Sequence, residues 1–260
     1  MQSGNLLIGR LCELSQLQRA IVDDGFAIVP GVVEESEVAS LLSELPDPAN
    51  QHGRAGIRHM LTHPAVWPLA NDPRLLMLAR NIMGESAFPF RATYFDKSPE
   101  SNWLIAWHQD TALPVAEKHE AAGWGPWSVK DTVLYAHAPA RALEQILALR
   151  VHLDDSNAEN GPLRVLPRSH RAGILCDDEI AKSTRSVSAL DCIVECGGIL
   201  VMRPLLVHAS SKSLSSMHRR VMHIEYAATR TFSDGICLAA PVAHRHFETK
   251  SSSQNSVKPN

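Results

Sequence analysis

No apolar run in this chain reaches the ~18 residues that a membrane-spanning helix needs, so no membrane span or membrane partner is expected. Charge of one sign is missing too: 25 basic and 28 acidic residues leave a formal net charge of -3, mixed along the sequence. With no basic patch to attract phosphate backbones, a nucleic-acid partner is not expected. Cysteines are few, odd in number and scattered (Cys12, Cys176, Cys192, Cys196, Cys237), which gives no disulfide framework. The start, MQSGNLLIGR, lacks a basic segment followed by an apolar one, and a cytoplasmic location is expected. Cys192 and Cys196 form a C-x3-C pair, but no second pair completes a zinc site, so they read as half-buried thiols. There is no internal repeat.

What is present is enough apolar sequence, 45% of 260 residues, to bury a sizeable core. The first third reads as mixed: a helix over Glu13 to Asp23, a β-prone "GFAIVPGVV", a helix over Glu34 to Leu45, and a third helix in "NDPRLLMLARNIMG" with Asn71 as its cap and Gly84 as its end. From Phe88 the character changes to short apolar or alternating runs: "FPFRATYF", "WLIAW", "ILALRVHL", "GPLRVLP", "DCIVEC", "GGILVMRPLLVHAS" and "RRVMHIEYAA". Strands separated by Gly, Pro, Asn and Ser turns, without regularly alternating helices, predict a mainly β jelly roll with flanking helices. The expected organisation is one domain over 1–247, with a helical layer over 1–85 and the jelly-roll core over 86–247, then a disordered tail over 248–260. The stretch 111–145, rich in Gly, Pro and Trp, reads as a long loop or lid beside the site.

The tetrapeptide "WHQD", Trp107 to Asp110, carries the chemistry. On a strand, His108 and Asp110 point to the same face and present an imidazole and a carboxylate side by side. Two His and one carboxylate on one face, with the opposite positions open, suit iron(II) in oxygenases, so a third ligand is required. His208, ending the apolar run "GGILVMRPLLVH" where a core strand would reach a rim, is the strongest candidate. His170 is a rival, although its Pro-Arg-Ser turn suggests a structural histidine. Arg219 follows His208 by eleven residues, and its planar fork could grip a carboxylate. Ser210 shares parity with His208 and could donate to the same group.

These residues resemble the phytanoyl-CoA dioxygenase family of iron(II)- and 2-oxoglutarate-dependent oxygenases. The resemblance rests on "WHQD", on "LDDSNAENGPLRVLPRSH" over Leu153 to His170, on "HAS" over His208 to Ser210, and on Arg219, covering roughly Phe88 to Ala228. It implies a double-stranded β-helix, a cupin-like jelly roll, with iron(II) on His108, Asp110 and His208. It also implies that Arg219 holds the far carboxylate of 2-oxoglutarate, helped by Ser210. The implied activity is hydroxylation of a small-molecule metabolite, with 2-oxoglutarate and O2 converted to succinate and CO2. Lys97, in a "KSP" turn eleven residues before His108, is also similar to a family feature. Two features depart from the pattern: Arg168 stands where the family has Gly, and no residues for a coenzyme A thioester are identifiable.

Further contacts are expected around this centre. Thr93, Asn102 and Gln109 are candidates for the cofactor, and Arg91, Trp127, Lys130 and Arg150 for the substrate. Trp124 with Trp127 could close over a ligand or simply pin a loop. His152 and His223 read as structural histidines or as supports to the site. The Asn160-Gly161 pair reads as a hairpin turn in which both residues supply positive backbone angles. Two other classes stay open: a hydrolase or isomerase using the same His-His-Asp set on another metal, and a catalytically silent binding protein. Oligomeric state is not encoded in any pattern found.

Overall fold

The computed structural model describes residues 14–46 and 56–239. Cys12, the expected tail over 248–260 and the outer limits of the expected domain lie outside them. In the described part the chain forms helix α1 (14–23), strand β1 (Phe26–Val29), α2 (Glu35–Glu44), α3 (Val66–Ala70) and α4 (Pro73–Met83). Strands β2 (Phe88–Lys97), β3 (Ile105–His108), β4 (Ala112–Pro114), β5 (Trp127–Lys130) and β6 (Val133–His137) come next. Then come α5 (Ala140–Leu143), β7 (Ile146–His152), β8 (Leu163–Val165), α6 (Asp177–Ser186), β9 (Leu190–Cys192), β10 (Ile199–Met202), β11 (His208–Ser210) and β12 (Arg219–Ala227).

The strands make three antiparallel sheets: a major sheet β1-β10-β7-β12-β2, a minor sheet β3-β11-β8-β9, and a small sheet β4-β6-β5. This is the expected jelly roll. Two-residue alternation gives the major sheet two different faces. Its outer face, with Tyr94, Leu149, Val151, Val201, Ile224 and Tyr226, packs on Ile21, Leu61, Leu75 and Leu78 of the helical layer. Tyr226 is wholly buried, and its hydroxyl donates to Ala70 O at 2.7 Å, which ties β12 to α3. The inner face carries Arg91, Thr93, Lys97, Arg150, His152, Arg219, His223 and Glu225 by the same alternation. Beside them, Ala148, Leu200 and Met202 pack on Leu163, Val165, Cys192 and Val194 of the minor-sheet side. No helix among the described residues is long and apolar enough to cross a membrane.

Several expectations need correction. The third helix, α4, is capped one residue later than expected: Asp72 is its cap, accepting from Arg74 N at 2.8 Å, while Asn71 closes the short, unanticipated α3. The run "GGILVMRPLLVHAS" is not one strand, because the chain leaves the major sheet after Met202 and enters the minor sheet at His208. The stretch 111–145 is not a loop: its middle is the β4-β6-β5 sheet, with a hydrophobic core around Leu113, Trp124, Ala136 and Phe232. Helix α6, "DDEIAKSTRS", went unanticipated because only Ile180 in it is buried. At the 160–161 turn only Gly161 has a positive φ, +66°; Asn160 instead uses its side chain, accepting from Asn157 N and donating to Asp155 O.

Gly161 is required for more than its angle, because a Cβ there would lie 2.4 Å from the Ser211 carbonyl oxygen. Gly161→Ala is therefore expected to lower unfolding stability by about 1–3 kcal/mol, read as a lowered denaturation midpoint with unchanged slope. A midpoint equal to wild type would mean that this turn does not constrain the β8-β11 edge.

Candidate active site

The centre is built by strand register. In the β3-β11 pairing His208 stands directly opposite His108, and the two rings lie 4.2 Å apart between centroids. Asp110 lies just beyond β3, fixed by its N–H donating to Pro204 O at 2.9 Å. Its Oδ1 is 3.6 Å from His108 Nε2 and its Oδ2 is 3.6 Å from His208 Nε2. One ligand atom from each of the three residues falls within 4.8 Å of the others. Both imidazoles donate through Nδ1 to the carbonyl two residues earlier, Ala106 O and Leu206 O, each at 2.8 Å. A carbonyl oxygen only accepts, so Nδ1 carries the proton and Nε2 keeps a free lone pair beside Asp110. That outer support is what a metal-binding histidine requires.

Electrostatics fit the same use. Burial pushes His208 down to about 4, so it is neutral at pH 7. Burial opposes charge on His108 too, but Asp110 beside it raises its pKa. Burial alone would raise the Asp110 carboxyl; the His208 and His108 rings hold it far below the usual carboxylate range. The donor set is thus two imidazole nitrogens and one ionised carboxylate on one side, which suits a divalent transition metal such as iron(II).

These residues line a cavity of about 210 Å³ together with Thr93, Phe95, Trp103, Ile105, Arg150, Leu163, Ser210, Arg219 and His223. Cross-strand register orders its charged wall: Thr93 faces His223, which faces Arg150, and Arg91 faces Glu225, while Arg219 faces Lys97, which is buried behind the lining. Arg219 is buried; its Nε donates to Asn160 O at 3.2 Å and its Nη2 to Ser210 Oγ at 3.4 Å, while Nη1 has no partner. No carboxylate of the described residues pairs with it, and burial lowers its pKa to about 10. An orphaned, buried guanidinium on a cavity wall fits an anionic ligand such as a terminal carboxylate of 2-oxoglutarate. Lys97, fully buried, donates to Ser210 Oγ at 2.7 Å and to Ser211 O. Burial, reinforced by the charges of Arg219 and Arg150, pushes its pKa down to about 7.

The structure brings together His108, Asp110, His208, Arg219, Ser210, Thr93, Arg91 and Arg150. Ser210 is already engaged: its hydroxyl donates to Gly161 O at 2.8 Å, so it braces Arg219 rather than offering a free hydrogen. Four expected contacts do not line the cavity. Asn102 pairs through both ends of its amide with the backbone of Ser213. Gln109 turns away, donating to Gly173 O and Leu205 O and accepting from Leu175 N. Trp127 packs on the core of the small sheet, and Lys130 stands over the Tyr135 ring at 5.2 Å. Trp124 is buried, its indole donating to Asp234. His170 lies against α1, bonded to Val22 O, and takes no part in the triad. Glu225, which sequence reasoning missed, forms a two-pronged ion pair with Arg91; its shared parity with Arg219 and His223 was the available signal.

Comparison with known proteins shows the family and the fold. Residues 21–221 match the family model described as phytanoyl-CoA dioxygenase (PhyH). An ectoine dioxygenase of Bordetella bronchiseptica is 29% identical over 173 residues, 60% of this chain and 49% of that protein. An L-proline trans-4-hydroxylase of Streptomyces griseoviridis is 29% identical over 136 residues, 42% of this chain and 50% of the relative. The chain thus spans about half the length of the curated relatives it matches. In fold it resembles the crystal structure of EctD from S. alaskensis with 2-oxoglutarate and 5-hydroxyectoine, at a TM-score of 0.63 and 18% identity, covering 82% of this chain and 75% of the other. The family match extends over most of the described residues, from α1 to the start of β12, and the chain belongs to the phytanoyl-CoA dioxygenase family.

Proposed function

We propose that the protein is an iron(II)- and 2-oxoglutarate-dependent oxygenase that hydroxylates a small-molecule metabolite. The observation that carries this reading is the pairing, across one cavity, of a His-Asp-His ligand face with a buried guanidinium that has no counter-charge. A hydrolase on the same triad would leave Arg219 without a task. Two relatives are named for ectoine and for L-proline, both small molecules. Four free cysteines among the described residues suit a reducing cytoplasm.

His108, Asp110 and His208 would hold the iron. Arg219, braced by Asn160 O and Ser210, would hold the far carboxylate of 2-oxoglutarate. When bound, these two groups supply the oxidising power: dioxygen is consumed, 2-oxoglutarate becomes succinate and CO2, and one oxygen atom enters the substrate. The chain's own share is placement. Leu206 O and Ala106 O fix the ring orientations of the two ligating histidines. Phe95, Trp103, Ile105 and Leu163 supply the apolar part of the cavity lining.

Under anaerobic conditions, iron(II) and then 2-oxoglutarate should produce a visible charge-transfer band; His208→Ala should abolish it, and Arg219→Met should weaken 2-oxoglutarate binding about 10- to 100-fold. Absence of the band in wild type, with tight zinc found by metal analysis, would favour the hydrolase instead. Lys97 adds a pH dependence. It is protonated below about pH 7 and neutral above, and its positive charge favours a dianion whose carboxylates stay ionised throughout. Affinity for 2-oxoglutarate should therefore fall as pH rises from about 6 to about 8.5, and Lys97→Met should flatten the profile. A wild-type profile as flat as the variant's would remove Lys97 from the electrostatics of binding.

A further inference from the structure

A second guanidinium lines the cavity without a counter-charge. Arg150 lies mid-strand in β7, opposite His223 of β12 and Leu200 of β10, and only 7% of it is exposed. Its Nη1 donates to His223 Nδ1 at 3.1 Å, and the Phe95 ring lies 5.5 Å from its Cζ. Its Nε is buried with no hydrogen-bond partner. Because His223 Nδ1 accepts from Arg150, the ring proton sits on Nε2, which lies 3.7 Å from Glu225 Oε2. Glu225 is already committed to both prongs of Arg91. The chain Arg91–Glu225–His223–Arg150 thus carries two cations and one anion, and the unmatched charge is on Arg150.

The balance of charge in the loaded cavity points to a further anion. Above about pH 7, where Lys97 is neutral, a divalent metal with Asp110 leaves one positive charge, Arg219 adds a second and Arg150 a third, while Arg91 and Glu225 cancel. The dianion 2-oxoglutarate removes two of the three. A positive charge left over in a partly enclosed cavity is costly unless an anion arrives with the remaining ligand.

We propose that Arg150 is a second carboxylate clamp of this cavity, separate from Arg219. The inference rests on the oxygenase reading. Two carboxylates have the required chemistry: that of an acidic primary substrate, and the metal-side carboxylate of 2-oxoglutarate. The charge count favours the substrate, since 2-oxoglutarate alone leaves the cavity positive. In this arrangement His223 and Glu225 are positioning residues: Glu225 holds Arg91, and neutral His223 fixes the plane of the Arg150 fork so that Nε faces an incoming acid.

The test uses the full chain, wild type against Arg150→Met, in two binding arms. The first tracks the anaerobic charge-transfer band as 2-oxoglutarate is titrated into the iron(II) protein. The second measures by calorimetry the binding of acetate, benzoate and L-proline, with their primary amides as uncharged controls, to the anaerobic iron(II)/2-oxoglutarate protein and to the metal-free protein. The expected result is that Arg150→Met binds 2-oxoglutarate like wild type but binds the acids about 10- to 100-fold more weakly, while the amides are unaffected. Loss confined to the first arm supports the clamp and assigns it to 2-oxoglutarate. Less than a twofold change in both arms, including no binding of any acid to wild type, overturns the proposal. Removing an uncompensated buried charge should also raise the melting temperature of the metal-free protein; a lowered melting temperature with unchanged binding would make Arg150 structural and overturn the proposal too. Should Arg150→Met fail to fold, Arg150→Lys, which keeps the charge and loses the fork, is read in the same two arms. A wild-type protein that forms no band at all would sink the oxygenase reading, and the metal-free arm would still report on Arg150.

Discussion

Everything in the site depends on one cross-strand pair, His108 opposite His208. Two residues from distant parts of the sequence meet because β11 is only three residues long and is held between β3 and β8. Alternation then divides the labour around that pair. His108 and Asp110 face the cavity, while Gln109 between them faces away and staples β3 to Leu205 O, Gly173 O and Leu175 N. A slip of one residue would turn Gln109 inward and both ligands outward. The buried amide, with all its bonds to backbone, opposes such a slip.

The same alternation lets one sheet serve two incompatible environments. Residues of β2, β7 and β12 facing the helices are mainly apolar and contribute to the largest core, while those facing the minor sheet include, besides the Arg91–Glu225 pair, five cationic or imidazole groups, Lys97, Arg150, His152, Arg219 and His223. Burial works against charge at every one of these five. Such a face disfavours the folded state, and the apolar outer face with its helical layer offsets the cost. Glu225 offsets only the charge of Arg91 and leaves Arg150 and Arg219 without a counter-charge.

The same physics decides how much of the fold and site is legible in the sequence. The His-Asp-His triad was legible because H-x-D is a local pattern and His208 ends an apolar run, and Arg219 because its position on a long strand fixes its face. The strands of the major sheet were legible as apolar or alternating runs. The β4-β6-β5 sheet was not: "ALP" is three residues ending in Pro and "WSVK" is four residues, mostly exposed, so neither carries a period. Asn102 and Gln109 were misjudged because closeness to "WHQD" along the chain does not fix which face a side chain takes. Glu225 escaped because a lone carboxylate in an apolar strand acquires meaning only beside Arg91, 134 residues away in sequence.

Arg168, the departure from the family pattern, shows how the site tolerates a change next to it. The residue adopts φ +71°, a conformation that favours glycine, so Arg there costs about 1 kcal/mol. The turn survives because Arg168 N donates to Asp24 O at 2.9 Å and its guanidinium lies 3.8 Å from the Asp24 carboxylate. What the turn delivers is the next residue. Ser169 Oγ accepts from Val207 N at 2.8 Å and donates to Leu166 O at 2.7 Å, fixing the backbone immediately before His208. The orientation of His208 therefore depends on the serine hydroxyl and on the turn's shape, and a residue that keeps the shape at a small cost leaves the His-Asp-His triad intact.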